Sequence, residues 1–314
     1  MTVSVEKGIS KISVAVCTYK RPILLQKCLA SLLVQTTSNL YEIIVVDNDA
    51  DGSAMEIVNF YQPQAIHRGI RLLYVIEPEQ NIALARNKAI ANCKGEYIAF
   101  IDDDEYASPD WLEKLYYALL KYNADAVFGP VFPVFPDFFP DWMKNSLLFK
   151  RNNISTGQKI VGTTAATNNA LIKSTILKSR TGPFDCTFGR IGGEDTDLFS
   201  WLYKQNCIFI WCNEAIVYEI QEDNRCFLKW HIRRGYRGGW GYAYRTFREY
   251  KPIKAISLIL LKVIGGTLKA SFKSLSYFHN PKAAFFFFLK EFSGQIGKIG
   301  YILGFKIEEY KTRK

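Results

Sequence analysis

Four consecutive acids, Asp102-Asp103-Asp104-Glu105, stand directly behind the apolar run Tyr97-Ile98-Ala99-Phe100-Ile101. Such a run reads as a buried strand, so the acids fall where the chain leaves the core. Crowded carboxylates repel one another and lose solvation there, a cost that a cation offsets. A hard divalent cation takes oxygen ligands, commonly one or two carboxylates together with a substrate's phosphates. The run therefore predicts a metal-dependent phosphate site, with a solvated acidic turn as the bland alternative. A second acidic group, Glu194-Asp195-Thr196-Asp197, follows Gly192-Gly193 and opens a helical stretch over 198–205. The helix dipole favours acids at that end. Capping explains one of them more easily than three.

The elements that must carry these residues are legible from hydrophobic spacing. Strands are expected at 12–18, 43–46, 70–76 and 97–101, the second ending in Asp47-Asn48-Asp49. Helical patterns follow the first three: Leu24, Leu25, Cys28, Leu29, Leu32 and Leu33 on one face, then 54–61, then 83–92. Strands alternating with helices predict an α/β fold, a mostly parallel sheet flanked by helices. The continuous apolar strands agree, because parallel strands are buried on both faces. Ligands of such sheets bind beyond the carboxyl ends of the strands. Thr18 to Arg21, Asp47 to Asp49 and Asp102 to Glu105 all occupy those ends, which predicts a single site.

Further on, 131–142 is rich in Pro, Phe and Asp and reads as an ordered loop packed by aromatics. A strand over 162–172 would carry the polar pair Asn168-Asn169. No internal repeat is present.

The chain has 314 residues, 48% of them hydrophobic, ample for a core. Its mean hydropathy of −0.04 argues against a polytopic membrane protein. The N-terminal stretch has no signal-peptide pattern. Seven cysteines without a C-x-x-C pair and three histidines make zinc a poor expectation, and a reducing cytoplasm fits best. The net charge of +10 is uneven: residues 1–224 hold 21 Lys and Arg against 26 Asp and Glu, whereas 225–314 hold 19 against 4, a balance of +15. An acidic catalytic body with a basic arm for an anionic partner is implied.

Five motifs occur in order: Val16-Cys17-Thr18-Tyr19-Lys20-Arg21, Val46-Asp47-Asn48, Ala85-Arg86-Asn87, Gly95-Glu96-Tyr97 through Asp104, and Gly193-Glu194-Asp195-Thr196-Asp197-Leu198. Each is weak alone. Together they resemble the family 2 glycosyltransferases, inverting enzymes of the A-type nucleotide-sugar fold, over about residues 10–240. The resemblance implies transfer from a nucleotide diphosphate sugar to a hydroxyl of a saccharide or lipid-linked acceptor, in cell-surface polysaccharide or glycolipid synthesis. It implies a divalent metal, Mn2+ or Mg2+, on Asp102 and Asp104, with Asp104 the first choice as ligand and Asp103 near the ribose. Thr18, Tyr19, Arg21, Asp47 and Asn48 would hold the base, and Arg86 would face the ribose or diphosphate unless it forms a structural ion pair. Inversion in one displacement needs a general base on the acceptor hydroxyl. That role falls to Asp195, with Glu194 positioning the base or the acceptor and Asp197 capping the helix. Where many relatives carry a histidine ligand this chain offers Glu219, leaving the completing ligand open between Glu219 and water; His231 is expected to be structural.

The expected division is 10–105 for the nucleotide sugar, 106–224 for the acceptor, and 225–314 as a basic, aromatic-rich helical extension. Apolar stretches at 256–264 and 283–289, shorter than a membrane span, are punctuated or followed by Lys254, Lys262, Lys269 and Lys273. They suggest helices lying on an anionic leaflet, a peripheral placement at the cytoplasmic face of the plasma membrane. Helices packing on the catalytic domain are the alternative, and no nucleic-acid-binding motif accompanies the charge. A non-catalytic nucleotide-sugar sensor or scaffold on the same fold is the competing function, against which the Glu194-Asp195 pair speaks. A nucleotidyltransferase would show glycine after the first strand, and 18–22 has none.

Overall fold

In the computed structural model, residues 11–149 and 154–305 are described. In chain order they form β1 (Ile12–Thr18), α1 (Pro22–Leu32), β2 (Tyr41–Asp47), α2 (Met55–His67), β3 (Arg71–Ile76), α3 (Ile82–Asn92), β4 (Tyr97–Asp102), β5 (Glu105–Ala107), α4 (Trp111–Lys121), β6 (Ala126–Phe128) and β7 (Val131–Val134). There follow α5 (Asp141–Lys144), β8 (Asn169–Lys173), α6 (Ser174–Leu177), α7 (Glu194–Lys204), β9 (Phe209–Trp211), β10 (Val217–Ile220), α8 (Leu228–Glu249), α9 (Pro252–Leu275) and α10 (Pro281–Ile302).

The apolar strands assemble into one sheet in the order β3-β2-β1-β4-β8-β6-β9. The first four are mutually parallel, and β6 and β9 are parallel to each other. β8 is inserted antiparallel between β4 and β6. Both faces are covered, as unbroken apolar strands require. Ile12, Val14 and Val16 pack with Leu25 and Leu29 of α1 and Trp111 and Leu115 of α4. The alternate residue Ala15, with Ile44, Ile98 and Phe100, packs against Ala85 and Ala89 of α3 and Phe199 and Leu202 of α7. Each fully buried large side chain contributes about 1.5–3 kcal/mol, which fixes strand register firmly. That register sets Thr18 beside Asp47, Cys17 beside Asp102, and Asp47 beside Ile76. The strand-end polar residues therefore share one edge of the sheet. A smaller sheet, β5-β10-β7, carries Glu105 opposite Glu219.

Several local expectations shift. α2 runs on from 61 to His67 across Pro63, because Val58, Tyr61 and Ala65 keep one face buried. The strand expected over 162–172 is confined to β8. There Asn169 is a structural hub: its amide donates to the Pro130 and Ala215 carbonyls, and its oxygen accepts from the Trp111 indole at 2.8 Å. α7 begins at Glu194, so the acids are its first turn rather than a preceding loop. The two glycines before it hold φ of 80° and 98°, where a side chain would be strained. All seven cysteines are free.

Contacts divide the chain into two units. The first comprises Met1–Phe132, Ile154–Gly189 and Glu194–Ile220 and contains the seven-stranded sheet; the second comprises Pro133–Asn153, Arg190–Gly193 and Gln221–Lys314. The expected acceptor half, 106–224, is thus shared between them, and residue 10, 150–153 and 306–314 of the expected segments lie outside the described residues.

Within the second unit, Phe135 packs on Phe139 and Phe149 with ring centroids 4.8 and 4.9 Å apart, the aromatic packing foreseen for the 131–142 stretch. α8 and α10 meet along glycines. Gly239 lies against the Gly294 backbone, and Gly297 against the Tyr236 carbonyl, with no room for a Cβ at either. Small residues allow this close backbone approach. α9 packs through Ala255, Ile259 and Ala270. It is one continuous helix of 24 residues, long and apolar enough by length and composition to cross a membrane, so the expectation that the 256–264 stretch is too short is corrected. The lysines that interrupt the apolar run do not interrupt the helix.

Candidate active site

All the site residues expected from sequence belong to the first unit. At the end of β1, the Thr18 hydroxyl donates to Asp103 Oδ2 at 2.7 Å, and Arg21 Nη1 reaches Asp103 Oδ1 at 3.3 Å and Asp104 Oδ2 at 3.5 Å. Burial raises the pKa of Asp103, while Arg21 and the Thr18 bond draw it back. Tyr19 lies beside these with Lys20 over its ring, and Lys20 holds a positive φ of 54°.

At the end of β2, Asp47 is fully buried and its carboxylate is engaged by the chain itself. Oδ1 accepts from Asp49 N, and Oδ2 from Ala54 N at 2.7 Å and the Tyr74 hydroxyl at 2.9 Å. Asp47 thus shapes the turn into α2. Asn48 holds the next turn: Nδ2 donates to the Glu77 and Glu79 carbonyls and Oδ1 accepts from Asn81 N at 2.8 Å. Asn81 in turn caps α3, accepting from Ala83 N and Leu84 N. The sequence reading passed over Tyr74 and Asn81, although an Asn immediately before the apolar start of a helix is a capping signal.

Arg86, carried by α3, is the electrostatic centre. Its side chain is 9% exposed; Nη1 pairs with Glu194 Oε1 and Nη2 lies 3.6 Å from Asp102 Oδ1. The guanidinium also sits over the Phe184 ring, 5.5 Å from its centroid. Burial works against its charge, but Glu194, Asp102 and Asp195 more than restore it, and its pKa is raised. The sequence reading gave Arg86 either a donor contact or an ion pair, and the ion pair is present. It ties α3 to the first turn of α7 and so locates Asp195, whose Oδ1 accepts from Thr196 N at 2.7 Å. Asp197 pairs with Arg180 at 3.0 Å.

Asp102 keeps 44% of its side-chain surface open. Crowding by the surrounding chain still desolvates it and pushes its pKa up to about 6, with Arg86 opposing and Asp104, Glu219 and Asp195 adding to the rise. Burial holds Glu105 well above the usual carboxylate range; its Oε2 accepts from Asp102 N and its Oε1 has no partner. His231, in the second unit, is buried against the Arg225 carbonyl, a structural position.

Among the described residues no three His, Cys, Asp or Glu side chains are grouped to hold a metal ion. The fit is of another kind. Asp102 and Asp104 supply hard carboxylate oxygens in a field of excess negative charge, and a small divalent cation is commonly held by two such groups plus substrate phosphates.

An acid-lined edge at the carboxyl ends of parallel strands is where the ligands of such a sheet bind. Residues 13–179 match the model of glycosyl transferase family 2. The chain belongs to that family. A family 2 relative, the succinoglycan biosynthesis protein ExoM of Rhizobium meliloti, is 34% identical over 236 residues, covering 73% of this chain and 72% of ExoM. The glycosyltransferase GlyA of Streptococcus pneumoniae is 32% identical over 119 residues, only 16% of its length. Among solved structures, a mannosyltransferase from Pyrobaculum calidifontis in complex with GDP-Man and Mn2+ superposes with a TM-score of 0.62 at 18% identity, over 93% of this chain and 87% of its own. S. aureus TarS in complex with UDP-GlcNAc gives 0.54 at 16% identity, over 94% and 92%. At such identities the likeness is one of fold, the A-type nucleotide-diphospho-sugar transferase fold. The family match ends at residue 179, before Glu194 and Asp195.

Proposed function

We propose that this family 2 glycosyltransferase moves a sugar, with inversion, from a nucleotide diphosphate sugar to a hydroxyl of a saccharide or lipid-linked acceptor in cell-surface polysaccharide or glycolipid synthesis. The observation that carries this is the ion-pair chain Asp102–Arg86–Glu194, which couples the acidic strand end to the turn bearing Asp195. Departure of a nucleoside diphosphate leaves negative charge. A divalent metal, Mn2+ or Mg2+, would be held by Asp102 and Asp104 and would neutralise that charge as a Lewis acid. Arg86, a guanidinium that stays protonated, adds fixed positive charge. Asp195, half-buried at the start of α7, takes the acceptor proton as general base, and Glu194, locked by Arg86, holds that turn in place. Thr18, Tyr19, Arg21, Asp47, Asn48 and Asp103 form the donor side. Asp47 and Asn48 do so by fixing the turns, since their polar atoms are taken up by the chain.

The bound donors of the two solved neighbours support a UDP- or GDP-sugar. The name of the Rhizobium relative supports an exopolysaccharide pathway. The basic C-terminal unit supports a cytoplasmic enzyme working at the inner face of the plasma membrane. A thermal-shift series of UDP- and GDP-sugars with and without Mn2+ tests the donor reading, because a ligand of the native state raises apparent stability. One donor class should shift the transition strongly and only with metal. No shift with any nucleotide sugar would overturn the reading.

A further inference from the structure

α9 has two unlike faces. One is packed within the second unit through Ala255, Ile259 and Ala270, and Gly266 sits where a Cβ would come 2.7 Å from the Gln295 amide of α10. On the other, Leu260, Leu261, Ile264, Leu268, Phe272 and Leu275 are 48–75% exposed. At 3.6 residues per turn these six fall within an arc of about 120°, opposite the packed face, along about 24 Å of helix. Monomeric soluble proteins rarely leave so continuous an apolar patch open. Exposed Lys262, Lys269 and Lys273 follow one edge of it, between the apolar and packed faces. α10 carries a second exposed apolar stripe in Phe285, Phe292, Ile296, Ile299 and Leu303.

Charge selects the occupant. Residues 225–314 hold 19 Lys and Arg against 4 Asp and Glu, and lysines at an apolar boundary place their stems on hydrocarbon and their ammonium groups at anionic headgroups. By length and composition α9 is able to span a bilayer. Its surroundings argue otherwise. Lys262 lies at the middle of the helix and Lys269 within its C-terminal half, and α9 packs against both α8 and α10. A span would draw into hydrocarbon α8, with Arg233, Arg234 and Arg237, and α10, with Lys290, Glu291 and Lys298.

We propose that the exposed face of α9 lies in the plane of an anionic lipid bilayer, its leucines and Phe272 among the acyl chains and Lys262, Lys269 and Lys273 at the headgroups. This rests on the membrane-surface placement above and is independent of the transfer chemistry. The glycine seam between α8 and α10 gives that face a firm backing within the second unit.

The test uses the full chain and two vesicle populations, phosphatidylcholine alone and an equal mixture with phosphatidylglycerol, read by cosedimentation without donor or acceptor. Binding should favour the mixed vesicles by at least tenfold and weaken as salt rises. Lys262→Gln and Lys269→Gln should each cost about fivefold on the mixed vesicles, the equivalent of about 1 kcal/mol per basic residue at such a surface. Leu261→Glu and Leu268→Glu, at exposed sites where folding is checked by circular dichroism, should each abolish binding to both populations. Four results would overturn the proposal: no binding of the native chain, equal binding by the Glu variants, salt-independent binding with protease protection of α9, or an oligomer in solution that the Glu variants dissociate. Because no sugar transfer is read, an inactive enzyme that still binds vesicles leaves this proposal standing and counts only against the catalytic one.

Discussion

The ion pair between Arg86 and Glu194 permits a quantitative test of how the site is held. Both side chains are nearly closed to solvent, 9% and 8% exposed, and the second oxygen of Glu194 has no partner at all. Arg86→Met removes the cation paired with that carboxylate and leaves a buried, uncompensated charge. Breaking a buried pair in this way costs about 3–5 kcal/mol. Glu194→Gln keeps the shape, removes the charge and leaves Arg86 near Asp102, so a smaller loss of about 1–3 kcal/mol is expected. The double variant should be less destabilised than the sum of the two by at least about 1.5 kcal/mol, as expected of neighbours in one network. The pH dependence has a definite sign. Burial already raises the pKa of Glu194, and Arg86 is the chief group restraining that rise. In Arg86→Met the native state therefore binds a proton more tightly than the unfolded chain. Its stability should recover as pH falls from 7 toward the ordinary glutamate value, by up to about 1.4 kcal/mol per unit. Urea unfolding of the four proteins at pH 7 and pH 5 gives all the quantities. Additive single losses, with a coupling below about 0.5 kcal/mol and no pH dependence in Arg86→Met, would refute the reasoning.

Three further outcomes are expected. Asp104→Ala should weaken nucleotide-sugar binding at least tenfold in the presence of Mn2+ and leave metal-free binding nearly unchanged; calorimetric titration giving equal affinities with metal would remove Asp104 as a ligand. Gly239→Ala sets a methyl group against the Gly294 backbone, and overpacking of that kind should cost about 1–3 kcal/mol in thermal or urea unfolding. His231 is kept neutral by burial, with Lys290, Arg234 and Arg225 adding to the effect, and its pKa is pushed down to about 4. The unfolded chain takes up that proton first, near pH 6.5, so stability should be complete above that value and decline toward pH 4, a slope that His231→Phe should flatten when unfolding is followed across the range.

The gathering of polar strand ends at one edge of the sheet was legible because two local rules agreed. β1, β2 and β4 are mostly apolar runs that each end in polar residues, and parallel strands place such ends together. The occupation of Asp47 and Asn48 by the turns around them was not legible, because their partners Tyr74, Ala54, Glu77 and Asn81 come from three later segments. Glu194 was recognised as an acid near a helix start, yet its burial depends on Arg86, 108 residues earlier. The strand expected over 162–172 shrank to β8 and proved antiparallel, because a short insertion between two strands has no spacing of its own to mark its ends or direction. α9 was underestimated for a physical reason: lysines end an apolar run in the sequence, whereas a helix carries them to the edge of an apolar face. The grouping of Pro133–Asn153 with the C-terminal helices is a matter of long-range packing, and the Pro- and Phe-rich composition of 131–142 does not say where that stretch packs.

The central claim is that Asp195 takes the acceptor proton while the donor is bound at the strand ends. Comparing Asp195→Asn with the native enzyme, by release of nucleoside diphosphate at saturating acceptor and by calorimetric donor affinity, tests it most directly. The account predicts a fall in kcat of about 10²–10⁴ with donor affinity unchanged within a few-fold. Turnover within a few-fold of the native enzyme would contradict it.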